Sequence, residues 1–369
     1  MTKKNILFLI NNLGSGGAEK VLVNLVNNID KNKYKVTLRT LIDQGANKKL
    51  VSNSVTYESV YKKGFKGINY LHLLPKRYIY NKIVFGKFDI IVVYLHGVLT
   101  KIVANAPSSQ KTIAYLHANM HNSPFIKSFK TKGKLQSCFK TYNAIVSVSK
   151  SVEDSFRAVS GIEEKLHIVY NTFDVEGIKA KAAEKIEQEY EHDGPIQLCA
   201  VGTLNKVKGF DRLINLLGRV KKEGDNFILN IIGDGPDRPL LQKLIEENNL
   251  KNNVFLLGFK SNPYNYISKS DLFVSASLTE GFSSVVVESV ILGVPVLTTN
   301  TSGMTEILGN SNEFGLIVEN NEEALYSGLK EMIQNKDLLN DYKQKVKNRS
   351  SFFSTQKTVK EVESLLDGI

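Results

Sequence analysis

The stretch Asp271-Leu-Phe-Val-Ser-Ala-Ser277, then Glu280-Gly281-Phe282-Ser283-Ser284-Val285-Val286-Val287-Glu288, then Gly293 and Val294-Pro-Val-Leu-Thr-Thr299 reads as strand, loop, helix and strand. A short apolar run followed by a helical segment and a second apolar run is the unit of a parallel α/β sheet. Glu280 falls in the loop at the first strand's carboxyl end. Glu288 lies eight residues on, close to two helical turns, so it falls on roughly the same face. Between them the free N–H groups of residues 282–285 open the helix and make a seat for an anion. Two carboxylates flanking an anion seat suit a molecule with hydroxyls at both ends and a diphosphate between them, a sugar nucleotide. A solvated glutamate plus a helix charge that favours the dipole is the plainer alternative.

The same alternation extends in both directions. Candidate strands in the first half are 5–11, 36–41, 90–95, 112–117, 144–149 and 166–170. In the second half they are 196–202, 227–232, 254–258, 271–275, 294–299 and 315–318. Helix 18–29 gathers Val21, Leu22, Leu25, Val26 and Ile29 on one face, and helix 210–222 gathers Leu213, Ile214, Leu217 and Val220. Between 172 and 195 the pattern lapses into a polar stretch ending Glu191-His-Asp-Gly-Pro195. A chain of 369 residues exceeds what one core usually serves. The expectation is therefore two doubly wound domains, 1–172 and 173–350, facing a central cleft, with 351–369 returning to the first as a helix over about 356–367. Ligands of such sheets bind beyond the carboxyl ends of the strands.

Composition excludes several classes. With 42% hydrophobic and 23% charged residues the chain is ordinary globular protein. Cys138 and Cys199 are too few for a disulfide framework and fall in different domains, which suits a reducing cytoplasm. No uncharged apolar run reaches the ~18 residues of a membrane span. Charge is lopsided. Residues 1–175 hold 26 Lys and Arg against 10 Asp and Glu, and no acid lies between Asp89 and Glu153; the remainder is mildly acidic. A basic half suits an anionic surface, and the expectation is a peripheral protein on the inner face of the cell membrane. No recognisable nucleic-acid module accompanies that charge, and the chain has no tryptophan for stacking.

Other residues with chemical potential fall at strand ends. Gly14-Ser-Gly16-Gly17-Ala-Glu19 follows the first strand and opens a helix, so backbone N–H groups there can approach a ligand closely. Glu19 stands where a dinucleotide fingerprint needs its third glycine, and no Gly-Lys-Ser/Thr closes a P-loop. Val201-Gly-Thr-Leu-Asn-Lys-Val-Lys208-Gly209 places a lysine just before a helix, where its ammonium can meet a diphosphate; an exposed loop lysine is the alternative. Ile232-Gly-Asp-Gly-Pro236 and Leu257-Gly-Phe259 are further strand-end turns. His117 ends a strand beside a basic loop and can hydrogen-bond a sugar hydroxyl or the reacting centre. His117 and His121 have metal-helix spacing, but Ala118 stands where a zinc protease needs glutamate. The chain has no Asp-x-Asp pair to grip a diphosphate through a divalent cation.

In their order these motifs resemble the retaining glycosyltransferases of family 4, the GT-B type with two Rossmann-like domains. The resemblance runs over nearly the whole chain and is strongest at 196–308. It rests on the Gly16-Gly17-Ala-Glu19 loop, Val201-Gly202 through Lys208-Gly209, Ile232-Gly-Asp-Gly-Pro236, Asn262-Pro-Tyr264, Asp271-Leu-Phe273, Glu280 to Glu288, Gly293-Val-Pro295 and Gly303-Met-Thr-Glu306. It implies that Glu280 contacts the donor sugar, Glu288 the ribose hydroxyls, and Lys208 with the N–H groups near Ser284 and Val285 the diphosphate. Gly16 and Gly17 close over the phosphates, His117 touches the transferred sugar, and Thr203 and Phe259 complete the donor contacts. It implies no metal or other cofactor, a nucleotide sugar donor carrying UDP, and a lipid-linked or cell-surface glycan acceptor. One departure stands out: the family usually carries arginine after Val201-Gly202, and here a hydroxyl, Thr203, takes its place. That departure keeps open a low-activity partner subunit that binds glycan, and the two-domain architecture also admits a sugar-nucleotide epimerase.

Overall fold

The computed structural model describes residues 3–14, 16–121, 123–186 and 194–369. Two compact units are present, one of residues 1–173 with Thr355–Ile369, the other of Asp174–Ser354.

The first unit is built on seven parallel strands: β1 Lys4–Ile10, β2 Tyr34–Ile42, β3 Thr56–Tyr61, β4 Ile90–Val93, β5 Lys111–Leu116, β6 Ala144–Ser147 and β7 Leu166–Ile168. Their spatial order is β3-β2-β1-β4-β5-β6-β7. Ile6 to Ile10 are all essentially inaccessible. Parallel strands are covered on both faces, which is why their sequences read as continuous apolar runs. The helix Gly17–Asn28 buries Val21, Leu22, Leu25 and Val26, the face its spacing marks out. The strand β3 was absent from the sequence expectation. It is an edge strand without a single fully buried residue, so it lacks the apolar run by which the others are read.

The last helix, Thr355–Gly368, belongs to this first unit. Lys4 Nζ donates to the Leu366 carbonyl at 3.0 Å, Tyr34 Oη to Asp367 Oδ1 at 2.7 Å, and the Asp30 amide to Glu363 Oε1 at 2.8 Å. Buried Val359, Val362 and Leu366 supply its apolar face.

The second unit carries six parallel strands: β8 Ile196–Val201, β9 Phe227–Ile232, β10 Val254–Gly258, β11 Leu272–Ser275, β12 Val296–Thr299 and β13 Leu316–Val318. Their order is β10-β9-β8-β11-β12-β13. The helix Phe210–Lys222 buries Leu213, Ile214, Leu217 and Val220 against the sheet. Truncating a core leucine such as Leu217 costs about 2–5 kcal/mol. Part of the polar stretch between 172 and 195 folds: Val175–Ala182 is helical, opened by Asp174 accepting from the Gly177 amide at 3.1 Å. Residues 187–193, where the sequence places the end of that stretch, lie outside the described residues.

In both sheets the strand order reverses beside the first strand, between β1 and β4 and between β8 and β11. Loops leaving neighbouring strands in opposite directions open a crevice there, the usual ligand position of this architecture.

Candidate active site

In the second unit, Lys208 ends a single 3-10 turn, Lys206–Lys208, after β8. Gly209 follows with φ 63°, and a side chain there would meet the Ala276 carbonyl oxygen at 2.1 Å. Only glycine fits both the left-handed backbone and that contact. The lysine is thereby pinned against the end of β11. Gly233 makes the matching close approach behind it, against the Gly202 carbonyl.

Across the crevice, Glu280 Oε1 accepts from Lys208 Nζ at 2.7 Å and from Ser277 Oγ at 2.7 Å. Both partners are mostly shielded, with side-chain exposures of 24% and 13%. Partial burial strengthens the pair relative to one in water. An ammonium has three donors, and among the described residues Glu280 is the acceptor recorded for it, which leaves donors for a ligand's oxygens.

The loop that carries Glu280 is itself tied down by a buried arginine. Arg212 is 7% exposed. Its Nε and Nη2 donate to the Ala276 carbonyl at 2.9 and 2.6 Å, and Nη2 also reaches the Ser277 carbonyl at 3.0 Å and Asn320 Oδ1 at 2.8 Å. Thr299 Oγ1 donates to the Ser277 carbonyl at 2.7 Å. These bonds satisfy the strand-end carbonyls of β11 and hold Ser277 toward Glu280.

The helix Ser284–Ile291 begins four residues after Glu280. Its N-cap, Ser283, makes no side-chain cap hydrogen bond, and the Ser283 hydroxyl is buried without a partner. An uncapped helix start beside an unsatisfied buried hydroxyl is a site for an anion, and Ser284 and Val285 form its first turn. Glu288, in the same helix, is only 4% exposed, and Tyr264 Oη donates to its Oε1 at 3.1 Å. Burial and that bond set aside the reading of a solvated helix charge. Thr203 and Phe259 are exposed, Phe259 at 61%, just beyond β8 and β10.

In the first unit, Gly16 is the N-cap and Gly17 the first residue of the helix that follows β1. Ser15 of that loop lies outside the described residues. The Glu19 carboxylate folds back over Gly16, where a side chain would collide with it. Burial raises the Glu19 pKa.

His117 follows β5 directly, and residues 117–121 form no helix, so the His117–His121 spacing does not place the two rings on one helical face. The His117 amide donates to His96 Nδ1 at 3.4 Å. An amide can only donate, so neutral His96 carries its proton on Nε2. The His117 ring hydrogen-bonds the backbone of Tyr94, whose amide already donates to the Leu9 carbonyl at 2.9 Å, so the Tyr94 carbonyl is the acceptor. His117 Nε2 is buried with no partner, so Nδ1 is the donor and Nε2 keeps an open lone pair. Tyr94 and Tyr115 pack on the ring, with centroids at 4.8 and 6.0 Å. Phe125 packs on His96 at 5.3 Å. Burial drives the His117 pKa down to about 3, with neighbouring His96 a lesser cause, and burial alone takes His96 to about 4. Both imidazoles are neutral at physiological pH.

The structure therefore brings Lys208 to Glu280, sets Ser284, Val285 and Glu288 on one helix beside them, and places His117 in a separate aromatic setting. Sequence reasoning gave no role to Ser277, Ser283, Tyr264 and Arg212 in the second unit or to His96 in the first. His96 carried a usable signal, since like His117 it lies just past the carboxyl end of an apolar run.

Residues 182–349 match the family described as glycosyl transferases group 1, and residues 15–176 match glycosyltransferase family 4. The N-acetylgalactosamine-N,N'-diacetylbacillosaminyl-diphospho-undecaprenol 4-alpha-N-acetylgalactosaminyltransferase of Campylobacter jejuni is 30% identical, covering 97% of this chain and 98% of that protein. Among solved structures, Anabaena HepE in complex with UDP and glucose superposes with a TM-score of 0.78 at 18% identity, over 99% of this chain and all of that one. Sucrose-phosphate synthase from Thermosynechococcus elongatus superposes with the same TM-score at 14% identity, over 99% of each chain.

Proposed function

The chain belongs to glycosyltransferase family 4, with the GT-B fold, and from that premise we propose that it transfers a hexose or N-acetylhexosamine from a UDP-sugar to a lipid-linked or cell-surface glycan acceptor, retaining configuration at the transferred carbon. It is a glycosyltransferase; donor, acceptor and stereochemistry are the proposal. The observation that carries it is the Lys208–Glu280–Ser277 cluster beside the uncapped start of helix Ser284–Ile291. The UDP in the HepE structure and the diphospho-undecaprenol in the name of the Campylobacter relative support the choice of donor and acceptor.

In this reading the bond between the sugar's anomeric carbon and the diphosphate oxygen breaks, and the acceptor oxygen bonds to the same face. Negative charge grows on the leaving diphosphate. Lys208, the Ser283 hydroxyl and the N–H groups of Ser284 and Val285 meet it, and fixed donors of this kind lower the barrier most where charge develops. Positive charge grows on the sugar. Glu280, already oriented by Ser277, faces it while its other partner, Lys208, turns toward the diphosphate. Glu288, held by Tyr264, takes the ribose hydroxyls; Phe259 and Thr203 border the donor. From the first unit, Gly16 and Gly17 supply backbone N–H groups to the phosphates. His117 Nε2 accepts from a sugar hydroxyl, a role that requires a neutral ring.

The lysine and helix start do the work a divalent cation does elsewhere, so the reaction is proposed to run in EDTA. No side chain is an obligatory nucleophile; the acceptor's proton leaves with the departing diphosphate. The protein works peripherally at an anionic membrane. The test is UDP release from a panel of UDP-sugars, with and without a lipid-linked acceptor. Acceptor-stimulated release from one of them, unaffected by EDTA, is expected. Absence of release from every UDP-sugar, or a trapped covalent glycosyl-enzyme, overturns the corresponding part.

A further inference from the structure

We infer that the segment 65–85 of the first unit is a bilayer-insertion surface, fitted to an anionic lipid membrane. The inference rests on the reading of a membrane-borne acceptor and assigns the contact to particular side chains.

Six of the eleven large apolar side chains exposed among the described residues fall in these 21 positions: Phe65, Tyr70, Leu73, Leu74, Tyr78 and Phe85. Tyr70 is 67% and Leu73 73% exposed. Their exposure is built, not incidental. Ile68–Leu73 is a 3-10 helix, in which residues three apart share a face. Tyr70 and Leu73 therefore point the same way, while Leu71 turns inward and is buried. In the helix Lys76–Ile83 that follows, Ile79, Tyr80 and Ile83 are buried and Tyr78 is left outside.

The segment is also fixed from beneath. Arg39 on β2 is 1% exposed, donates to the Ile83 carbonyl at 2.9 Å and to Glu58 through Nε at 2.9 Å, and lies 3.5 Å under the Phe85 ring. A clustered set of exposed leucine and aromatic side chains, held rigidly in this way, marks an interaction surface.

Charge identifies the occupant. Lys62, Lys63, Lys66, Lys76, Arg77, Lys82 and Lys87 surround the apolar side chains, all exposed, and no acid lies between Tyr61 and Phe88. Lys76 and Arg77 occupy the first turn of their helix, where the dipole disfavours cations. Their position weakens the fold and so is explained by what they meet outside it. Lysine is depleted at the cores of protein–protein interfaces. A cation ring around leucine and tyrosine is instead the pattern that combines an apolar foothold with attraction to anionic headgroups, and stable attachment takes two such signals.

The full chain is sedimented with vesicles of phosphatidylcholine alone and of phosphatidylcholine with phosphatidylglycerol, across salt. Binding to the anionic vesicles, weakening as salt rises, is expected. The double variant Tyr70→Ser, Leu73→Ser should bind more than tenfold more weakly. Lys76→Glu, Arg77→Glu should abolish the preference for phosphatidylglycerol. UDP release in solution should be unchanged in all of them, since these residues lie outside the proposed donor site; circular dichroism checks that each variant folds. Failure of the wild type to bind, or equal binding by both variants and wild type, overturns the inference while leaving the transferase reading intact. Binding as expected with no UDP released from any sugar nucleotide does the reverse.

Discussion

In the first unit the carboxyl ends of β4 and β5 gather two imidazoles and two phenols with no charged group among them. In the second, the loops after β8 and β11 press a lysine against a glutamate, beside a helix start that no side chain caps. The two sheets have the same strand order through their first six strands, so topology does not explain the contrast. In the proposed reaction each edge matches what it would stabilise. A leaving diphosphate calls for cationic and amide donors, which Lys208 and the uncapped helix start would supply. An imidazole can accept from a neutral hydroxyl only if it is uncharged, and an aromatic enclosure keeps it so. One architecture thus yields a charged strand edge in one unit and a neutral one in the other, by the residues placed on its loops.

Removing charge from the second edge is the severest way to break that contrast. Lys208→Ala takes a cation from the diphosphate and leaves Glu280 with Ser277 alone, and kcat for donor turnover should fall about a hundredfold to a thousandfold. Glu280→Gln keeps the shape but not the charge, and should lower kcat by about a hundredfold. The double variant should lose little more than the worse single one, because the two act as a unit. Steady-state UDP release by the three proteins decides it; additive losses would show that the pair works as two separate groups.

His117→Ala removes the open acceptor of the first edge without touching charge. A loss of about tenfold in kcat/KM is expected, the size of one neutral hydrogen bond. His117→Asn should recover part of it if acceptance alone is the role.

Acid should reach the two edges differently. Both imidazoles have folded pKa values below the ordinary one, His96 at about 4 and His117 at about 3. Between there and the unfolded value of about 6.5 the unfolded chain binds more protons than the folded one. Their contribution to stability is therefore complete above about pH 6.5 and lost as pH falls toward 4. Urea denaturation at pH 7 and 4.5 should show that decline, and the variant His96→Asn, His117→Asn should show less of it. The kcat profile from pH 6.5 to 8 should have no step belonging to His117.

The strands were legible because parallel strands buried on both faces announce themselves as apolar runs; β3, half-covered at an edge, did not. Glu280 and Lys208 stood out because chemistry and strand-end position coincide in the sequence, and Glu288 because its eight-residue spacing from Glu280 returns it to roughly the same face. Arg212 did not. It sits amid the apolar face of its helix, and the carbonyls that make its burial tolerable come from Ala276 and Ser277, more than sixty residues away. Tyr264 is hidden for a similar reason, acting through Glu288 on another helix, whereas Ser277 lies three residues before its partner Glu280 in the same loop and reads there as an ordinary loop serine. Ser283 looks in sequence like an ordinary helix cap, and only the structure reveals that its hydroxyl caps nothing.

The mildest change adds charge to the edge that already carries it. Thr203 is exposed, and it follows Gly202, over which the Lys208 stem runs so closely that a side chain on Gly202 would come within 3.3 Å of it. Thr203→Arg would bring a second cation next to the first, in the position where the family usually has one. Arginine's planar fork suits phosphate oxygens, and its cost is repulsion from Lys208, softened by Glu280. The net gain in kcat should be only a few-fold, the margin of one exposed ion contact. A gain in kcat at unchanged KM would place the new cation on charge that appears during departure. A fall in KM alone would place it on the ground-state diphosphate. A loss of activity would mean that Lys208 and Glu280 are balanced as they stand, and that the hydroxyl at 203 keeps a competing cation away from the pair.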